Sequence, residues 1–343
     1  MDSNHLYMKI LFNYRQGFLL LALTLTLACK SQEEECQLDE KILAVPIDFN
    51  IERLEDRFYT ASAIEEINYL LEEYPDFTDK YLQVELYDSK AELAEALLEI
   101  NQDSLMQELF QEVKQEFSDF QAIERQLRDA FAYIKYYFPE FKVPKVYTYL
   151  SGFGNDLLIT EDLIVIGLDY YLPKTHRFQP PELPQYMADR YERDFIVPMI
   201  VTAISSRYNQ VDLSQNTLLA EMIFYGKAYH FTKVVLPCIS DEYIIGYTTE
   251  EIAASYANEA LIWSHFIEND LLFVTNPFEI RKYTGEAPST DEISPDAPGR
   301  LGRWLGWNIV DDYRFNNELE LDQLMAEKDA EKIFRRSGYK PRQ

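Results

Sequence analysis

The sequence predicts a predominantly helical α+β protein with one small antiparallel sheet. Hydrophobic residues make up 47% and aromatic residues 14% of the 343 residues, the composition of a chain that buries a core. Most of the chain carries apolar residues at helical spacing, whereas three short β-type runs lie close together between residues 145 and 166. We therefore expect one globular domain in which helices flank a short meander.

Alternation and helix-capping residues predict the first elements. Apolar residues alternate from Val45 to Phe49, as in a half-buried strand. Ser89-Lys-Ala-Glu92 and Ser118-Asp-Phe-Gln121 have the form of capping boxes, in which side chains bind the free amides of a first helical turn. The sequence therefore predicts a strand, followed by helices that begin after these boxes, the second of which ends at Pro139.

The sheet is predicted from the runs Lys145–Leu150, Leu157–Thr160 and Leu163–Ile166. Gly152 and Gly154 lie between the first two runs and allow a tight turn there. Because the runs follow one another closely, we expect antiparallel pairing, with the sheet-containing part ending at about residue 172.

The part of the domain after about residue 186 is predicted to be helical. Pro-rich stretches at residues 173–184 and 278–298 are predicted to be loops. Thr248-Thr-Glu-Glu251 is a further capping box. The predicted helices are about Ala188–Tyr208, Leu213–Phe231, Glu250–Glu268 and a stretch from about Leu301 that leads to a basic tail.

Residues 1–28 have the features of a lipoprotein signal peptide. Basic residues precede an apolar run from Phe18 to Ala28, which is about half the ~20 residues that a membrane-spanning helix needs. Cys29 follows the small residue Ala28, the order that bacterial lipoprotein signal peptidase recognises, although Thr26 stands where Leu is usual. We expect cleavage before Cys29 and a diacylglyceryl thioether on its sulfur. The alternative is an ordinary cleavable signal without lipid.

The mature chain is then expected to have an acidic tether at residues 29–42 and a globular domain at residues 43–343. It would be lipid-anchored in the cell envelope, at the outer membrane, with the periplasmic or surface face left open. A net charge of −27 argues against nucleic-acid partners and against direct adsorption to anionic lipid. Whether Cys36 and Cys238 pair, and whether the chain forms oligomers, are also left open.

No metal site or cofactor is predicted. His176, His230 and His265 are far apart in sequence, so no HExxH-type pair exists, and no Ser or Cys lies in a nucleophile elbow. Two carboxylates, Glu221 and Glu259, fall among apolar residues of predicted helices. Each is either part of a polar cleft floor or a carboxylate that faces solvent or pairs with an Arg, and we favour the second interpretation.

The segment Pro298–Val310, with the sequence PGRLGRWLGWNIV, is the densest motif. Its glycines recur at three- and four-residue steps, so a helix here would have a flat face that another element approaches closely. The segment is either a helix docked in the core or a cleft wall with Arg300, Arg303 and Trp304.

The chain resembles the gliding-motility lipoproteins of the GldB type. The matching segments run through nearly the whole mature chain: Ile51–Arg53, Tyr136–Pro139, Ile166–Leu172, Glu221–Lys227, Ile245–Thr248, Asn258–Trp263, Phe266–Glu268 and Pro298–Val310. The resemblance implies a role in the envelope machinery of gliding and of the associated type IX secretion, with proteins of that machinery as partners.

The family is also similar to predicted zinc peptidases of the gluzincin type, in which one helix carries HExxH and a later helix supplies a Glu ligand. Here the first helix would contain Phe195–Ile204, which has neither His nor Glu, whereas Glu221 is retained. The resemblance therefore implies a peptidase-like scaffold that cannot assemble a water-activating zinc centre.

Three functions follow from these observations. The favoured one is a lipid-anchored, non-catalytic component of gliding and secretion machinery. The second is an envelope hydrolase with an unrecognised site that uses Glu221 and Glu259. The third is a glycan- or peptide-binding lipoprotein, because the chain has 25 Tyr.

Overall fold

The computed structural model describes residues 36–342, so the signal-peptide and Cys29 predictions lie outside the described residues. Every helix and strand of the described part belongs to one compact unit, Leu38–Gln343. The main sheet and the first seven helices precede residue 172. The elements are α1 Glu40–Leu43, β1 Ile51–Arg53, α2 Leu54–Phe58, α3 Ile64–Glu73, α4 Pro75–Lys80, α5 Lys90–Gln102, α6 Ser104–Glu116, α7 Gln121–Tyr137, β2 Lys145–Tyr149, β3 Leu157–Ile159 and β4 Leu163–Gly167.

The rest of the unit is helical apart from a two-stranded ribbon. Its elements are α8 Gln185–Ala188, α9 Ile196–Ser205, α10 Leu218–Val235, α11 Asp241–Ile245, α12 Thr249–Ala257, α13 Glu259–Glu268, α14 Pro277–Thr284, β5 Ser289–Thr290, β6 Ser294–Pro298, α15 Leu301–Asn316, α16 Leu321–Ala326 and α17 Ala330–Ser337. Helical residues make up 57% of the part that the structure describes, so the predicted class, mainly helical α+β, is confirmed. None of the helices in the described part is long and apolar enough to span a bilayer.

The main sheet is mixed, and the prediction of an antiparallel sheet is wrong in this respect. Its strand order is β1-β2-β4-β3. β2 pairs in parallel with both β1 and β4, and only β3 and β4 are antiparallel. Helices α2–α7 separate β1 from β2, which is the kind of long crossover that parallel pairing needs.

A buried carboxylate fixes the connection that leads to β3 at the sheet edge. Asp169 is fully buried and accepts hydrogen bonds from the backbone N–H groups of Ser151 and Phe153, at 3.0 and 2.5 Å. Burial raises the pKa of Asp169, and these donors act in the opposite direction. Gly152 and Gly154 were expected to form a tight turn between β2 and β3. Because β4 lies between these two strands in the sheet, the loop instead carries the chain past β4.

Helix boundaries follow the capping residues only in part. Thr248 and Glu251 form the complete predicted box, with bonds of 3.1 and 2.7 Å. Ser89 accepts from Glu92 N at 3.2 Å as expected, but the Glu92 carboxylate binds the amide of Asp88. Ser118 does not cap α7: the helix begins at Gln121, whose amide binds Asp119 Oδ1.

Several predicted bounds differ from the structure. The strand expected at Val45–Phe49 is absent from the described chain, and β1 begins at Ile51. The helix expected over Glu250–Glu268 is two helices, α12 and α13, interrupted at Asn258. The loop expected at 278–298 contains most of α14 and the β5–β6 ribbon. The Pro-rich segment 173–184 has no regular element, as predicted.

Helices α10 and α15 form the centre of the helical part. Two thirds of α10 and all of residues 301–310 of α15 are buried, and α15 carries the glycine motif. Gly306 of α15 lies against the Met222 carbonyl and Gly302 against the Tyr283 carbonyl, so the predicted flat face is confirmed. Gly299 precedes the helix and packs against the Ala287 carbonyl. This crossing sets the relative positions of the side chains of the candidate site.

Candidate functional site

A cavity of about 590 Å³ lies beside the first turns of α10. Its walls come from α10, α14, α17 and the segment before α10. The lining includes Thr217, Glu221, Tyr225, Arg281, Thr284 and Ile333. Thr217 begins α10 because its hydroxyl accepts the amide of Ala220 at 3.2 Å, which leaves Glu221 in the first turn. The cavity therefore combines apolar and charged side chains, and among the charged ones Glu221 lies at a helix N-terminus.

The favoured interpretation of Glu221 was an Arg partner, such as Arg300 or Arg303, or a position facing solvent. Its partner is instead a hydroxyl, and the residue lines the cavity. Thr284 at the end of α14 donates its hydroxyl hydrogen to Glu221 Oε1 at 2.6 Å. Both residues line the cavity, but Thr284 is completely buried, whereas Glu221 is partly exposed. The carboxylate is thus fixed at one oxygen on a wall of the cavity.

Arg303 is linked to Glu221 through the same threonine. Its Nε donates to the Thr284 carbonyl, and its Nη1 donates to Glu286 Oε1 at 2.9 Å. Its guanidinium lies 4.0 Å from the ring centroid of Tyr225, which also lines the cavity. The structure therefore brings Glu221 and Arg303 into one network, although they do not touch.

Arg300 belongs to the same network through Glu286. It precedes α15 in the left-handed conformation, with φ of 64°. Its Nη1 and Nη2 donate to the carbonyls of Ile245 and Gly246, at 2.6 and 3.1 Å, and its Nε lies 3.8 Å from Glu286 Oε2. Arg300 is only 6% exposed, and these carbonyls and the carboxylate compensate part of the desolvation of its guanidinium.

Trp304 and Glu259 are not part of this network. Trp304 is 1% exposed and packs edge-on against Tyr256, so it is a core residue and not a cleft wall. Glu259 is also 1% exposed, and its oxygens accept from the Tyr339 hydroxyl at 2.6 Å and from the Arg342 amide at 3.2 Å. The polar-cleft interpretation does not hold for these two residues.

Sequence patterns did not single out Lys227, although it lies in one of the motifs of the resemblance. Its Nζ donates to three backbone carbonyls, those of Gln210, Met325 and Glu327, at 2.8, 3.0 and 2.8 Å. Burial lowers its pKa from 10.5 to about 7, with the Glu327 carboxylate acting in the opposite direction. The charged form matches the three acceptors, so Lys227 ties α10 to the segments that border the cavity.

The residues present do not fit a zinc centre of the gluzincin type. Helix α9, Ile196–Ser205, offers neither His nor Glu, and one oxygen of Glu221 is bound by Thr284. Within residues 36–342, no group of three or more His, Cys, Asp or Glu side chains is arranged to hold a metal ion. No step of a reaction through zinc can be derived from this site.

The fold and the site together define a mainly helical α+β protein with a cavity beside α10 and an arginine–carboxylate network near the start of α15. Searches of curated proteins and of solved structures give no match to the chain. The family model for the gliding motility protein GldB matches residues 35–341. The chain therefore belongs to the GldB family and is related to gliding motility.

Proposed function

We propose that this protein is a lipid-anchored, non-catalytic component of the gliding machinery and of the protein secretion associated with it. Membership of the GldB family is the observation that carries the proposal. The position of Cys29 after an apolar leader supports attachment through lipid, and we place the anchored domain at the outer membrane as part of the proposal. The domain then acts by presenting a binding surface to other envelope proteins.

Oxidised cysteines support export from the cytoplasm. Cys36 and Cys238 are both disulfide-bonded. Disulfides persist in the periplasm and at the cell surface and are rare in reducing compartments. The state of both cysteines therefore agrees with a domain held on the outer side of the inner membrane.

The surroundings of the two candidate carboxylates support binding over hydrolysis. A pair of catalytic carboxyl groups must both reach the substrate. Glu221 faces a cavity, but Glu259 is 1% exposed and is covered by Tyr339 and the backbone of Arg342. The two groups therefore lack the common access that the hydrolase alternative requires.

The anchor is tested by replacing the wild-type gene with Cys29→Ser in the full-length chain. We expect the protein to leave the membrane fraction, and colony spreading and secretion to fall, because the domain is no longer held beside its partners. Ser31→Ala is the matched control, two residues away and without effect on the thioether. Crosslinking of intact envelopes from both strains identifies the partners that depend on the anchor.

Two results would contradict the proposal. Normal spreading and secretion after deletion of the gene would exclude a role of this protein in the gliding and secretion machinery. Loss of spreading in a stable, correctly located Glu221→Gln variant would argue against a non-catalytic domain, because that change removes a charge and preserves the shape of the side chain.

A further inference from the structure

Three guanidinium groups surround one carboxylate near the start of α15. Glu286, between α14 and β5, accepts hydrogen bonds from Arg190 Nη2 at 2.6 Å and from Arg303 Nη1 at 2.9 Å. Arg300 Nε lies 3.8 Å from the same carboxylate. The cluster therefore keeps an excess of positive charge in a chain whose net charge is −27.

Arg300 has donor capacity that its neighbours do not use. A guanidinium has five N–H donors in a planar fork. Nη1 and Nη2 each bind one carbonyl, whereas the buried Nε has no hydrogen-bond acceptor among the described residues. A buried donor without an acceptor costs about 1–3 kcal/mol, so an additional oxyanion oxygen would stabilise this group.

A cavity of about 350 Å³ adjoins the cluster. Arg190, Arg300 and Lys174 contribute positive charge to its lining. Acidic residues line it as well, but most are engaged. Glu251 caps Thr248, Glu242 accepts from Ser240, Asp189 accepts from Gln185, Glu192 lies 3.9 Å from Lys174, and Glu250 is exposed. Apart from Lys174, these partners are uncharged, so the carboxylates offset the positive charge of the lining. The buried donor that still lacks an acceptor among the described residues is Arg300 Nε.

We propose that Arg190, Arg300 and Arg303 form a binding site for an oxyanion, a phosphate or carboxylate group, and that Glu286 is a tethered competitor for this site. Guanidinium forks bind both groups in a bidentate manner. The side chain of Glu286 is 34% exposed and lies outside the regular elements, so it can leave the arginines without unpacking the core. This site is independent of the role in gliding proposed above.

The charge state of Glu286 agrees with such competition. Partial burial opposes ionisation, but Arg300, Arg190 and Arg303 together lower the pKa of this carboxyl. The carboxyl group of Glu286 is thus ionised at neutral pH and occupies the arginines, so a ligand must displace it. A tethered group competes at an effective concentration in the millimolar range, which weakens apparent ligand affinity.

The test is calorimetric titration of the whole mature chain, residues 29–343, with inorganic phosphate and, separately, with succinate. Glu286→Gln is expected to bind one of the two about tenfold more tightly than wild type, because the tethered competitor has lost its charge. Arg190→Gln in the Glu286→Gln background is expected to abolish that gain. Arg335→Gln, on the surface beside Glu331, is the control and should behave as wild type. The preferred anion identifies the ligand as a phosphate or a carboxylate.

Arg190 is the better test residue because, unlike Arg300, it binds no backbone carbonyl in the described structure. Circular dichroism checks that each variant is folded. If Arg190→Gln is not, Arg190→Lys replaces it, since it keeps the charge but loses the fork and should still weaken binding. The proposal is overturned if Glu286→Gln binds neither anion more tightly than wild type, or if the gain persists after Arg190 is changed.

Discussion

Gly226 of α10 and Gly306 of α15 bring the backbones of these two helices into direct contact. A Cβ on Gly226 would lie 2.3 Å from the Gly306 carbonyl oxygen, and a Cβ on Gly306 would lie 2.0 Å from the Met222 carbonyl oxygen. Real Cβ atoms essentially never approach within 3.0 Å of another heavy atom, and backbone cannot move aside as a flexible side chain can. The close crossing therefore depends on glycine at both positions.

Gly306→Ala is expected to lower the free energy of unfolding by about 1–3 kcal/mol or more, because the added methyl group forces the helices apart in a packed core. Urea unfolding followed by circular dichroism measures the change. Gly154→Ala is the matched control, since its Cβ would meet only the Ser151 carbonyl at 3.3 Å. Equal losses in both variants would show that the crossing tolerates a side chain.

Lys227→Met should be among the most destabilising single changes on α10. It leaves three carbonyls without their donor, and that of Met325 is buried, so its loss costs about 1–3 kcal/mol. Chemical unfolding is again the measurement. Lys233→Met is the control on the same helix, because Lys233 is partly exposed and binds Ile239 O and Asp241. A loss no larger than that of the control would contradict the structural role of Lys227.

The same lysine predicts a pH dependence of stability. Its folded pKa of about 7 lies below its ordinary value of 10.5, so the unfolded chain binds more protons between these values. Stability contributed by this group therefore rises with pH through that window, by at most ~1.4 kcal/mol per pH unit. The three carbonyls favour the ammonium form and make the slope shallower. Unfolding at pH 7.5 and 9 should show a steeper rise for wild type than for Lys227→Met, and identical slopes would refute the assignment.

Tyr339→Phe should destabilise the C-terminal segment. The hydroxyl of Tyr339 is a principal partner of the buried Glu259 carboxylate, and a hydrogen bond to a charged group contributes about 1.5–3 kcal/mol. Hydrogen exchange of α17 and of the residues after it should increase. Tyr136→Phe is the control, because Tyr136 is 51% exposed and its hydroxyl binds no described residue. Unchanged exchange at residues 330–342 would mean that the segment is held by packing alone.

Local signals predicted those parts of the fold that depend on neighbouring residues. The run Leu163–Ile166 was recognised as a strand, but all five residues of β4 are buried, as in a central strand with both faces covered. That continuous apolar character favoured a central position, which the expectation of a meander overlooked. Pairing partners remained undetermined because β1 and β2 are separated by more than 90 residues, and no local pattern encodes such a contact.

The candidate site was recognised residue by residue and not as a whole. Glu221, Arg300 and Arg303 were singled out by type and spacing, whereas Thr284 and Glu286, which connect them, lie where the sequence predicted a loop. Glu259 was placed correctly among apolar residues, but its partner comes from the distant Tyr339. Buried carboxylates signal that a partner exists, and the partner's identity depends on packing between elements.

The sequence by itself determined the helical α+β class, the motifs of the GldB family, the cysteine available for lipid attachment and the absence of an HExxH pair, because each depends on residue type or short-range spacing. Only the tertiary structure decided the parallel pairing of β2, the burial of Trp304 and Glu259, and the gathering of Arg190, Arg300 and Arg303 around Glu286. Those features arise where elements far apart in the chain exclude water together, so burial and charge compensation there are properties of the packed domain.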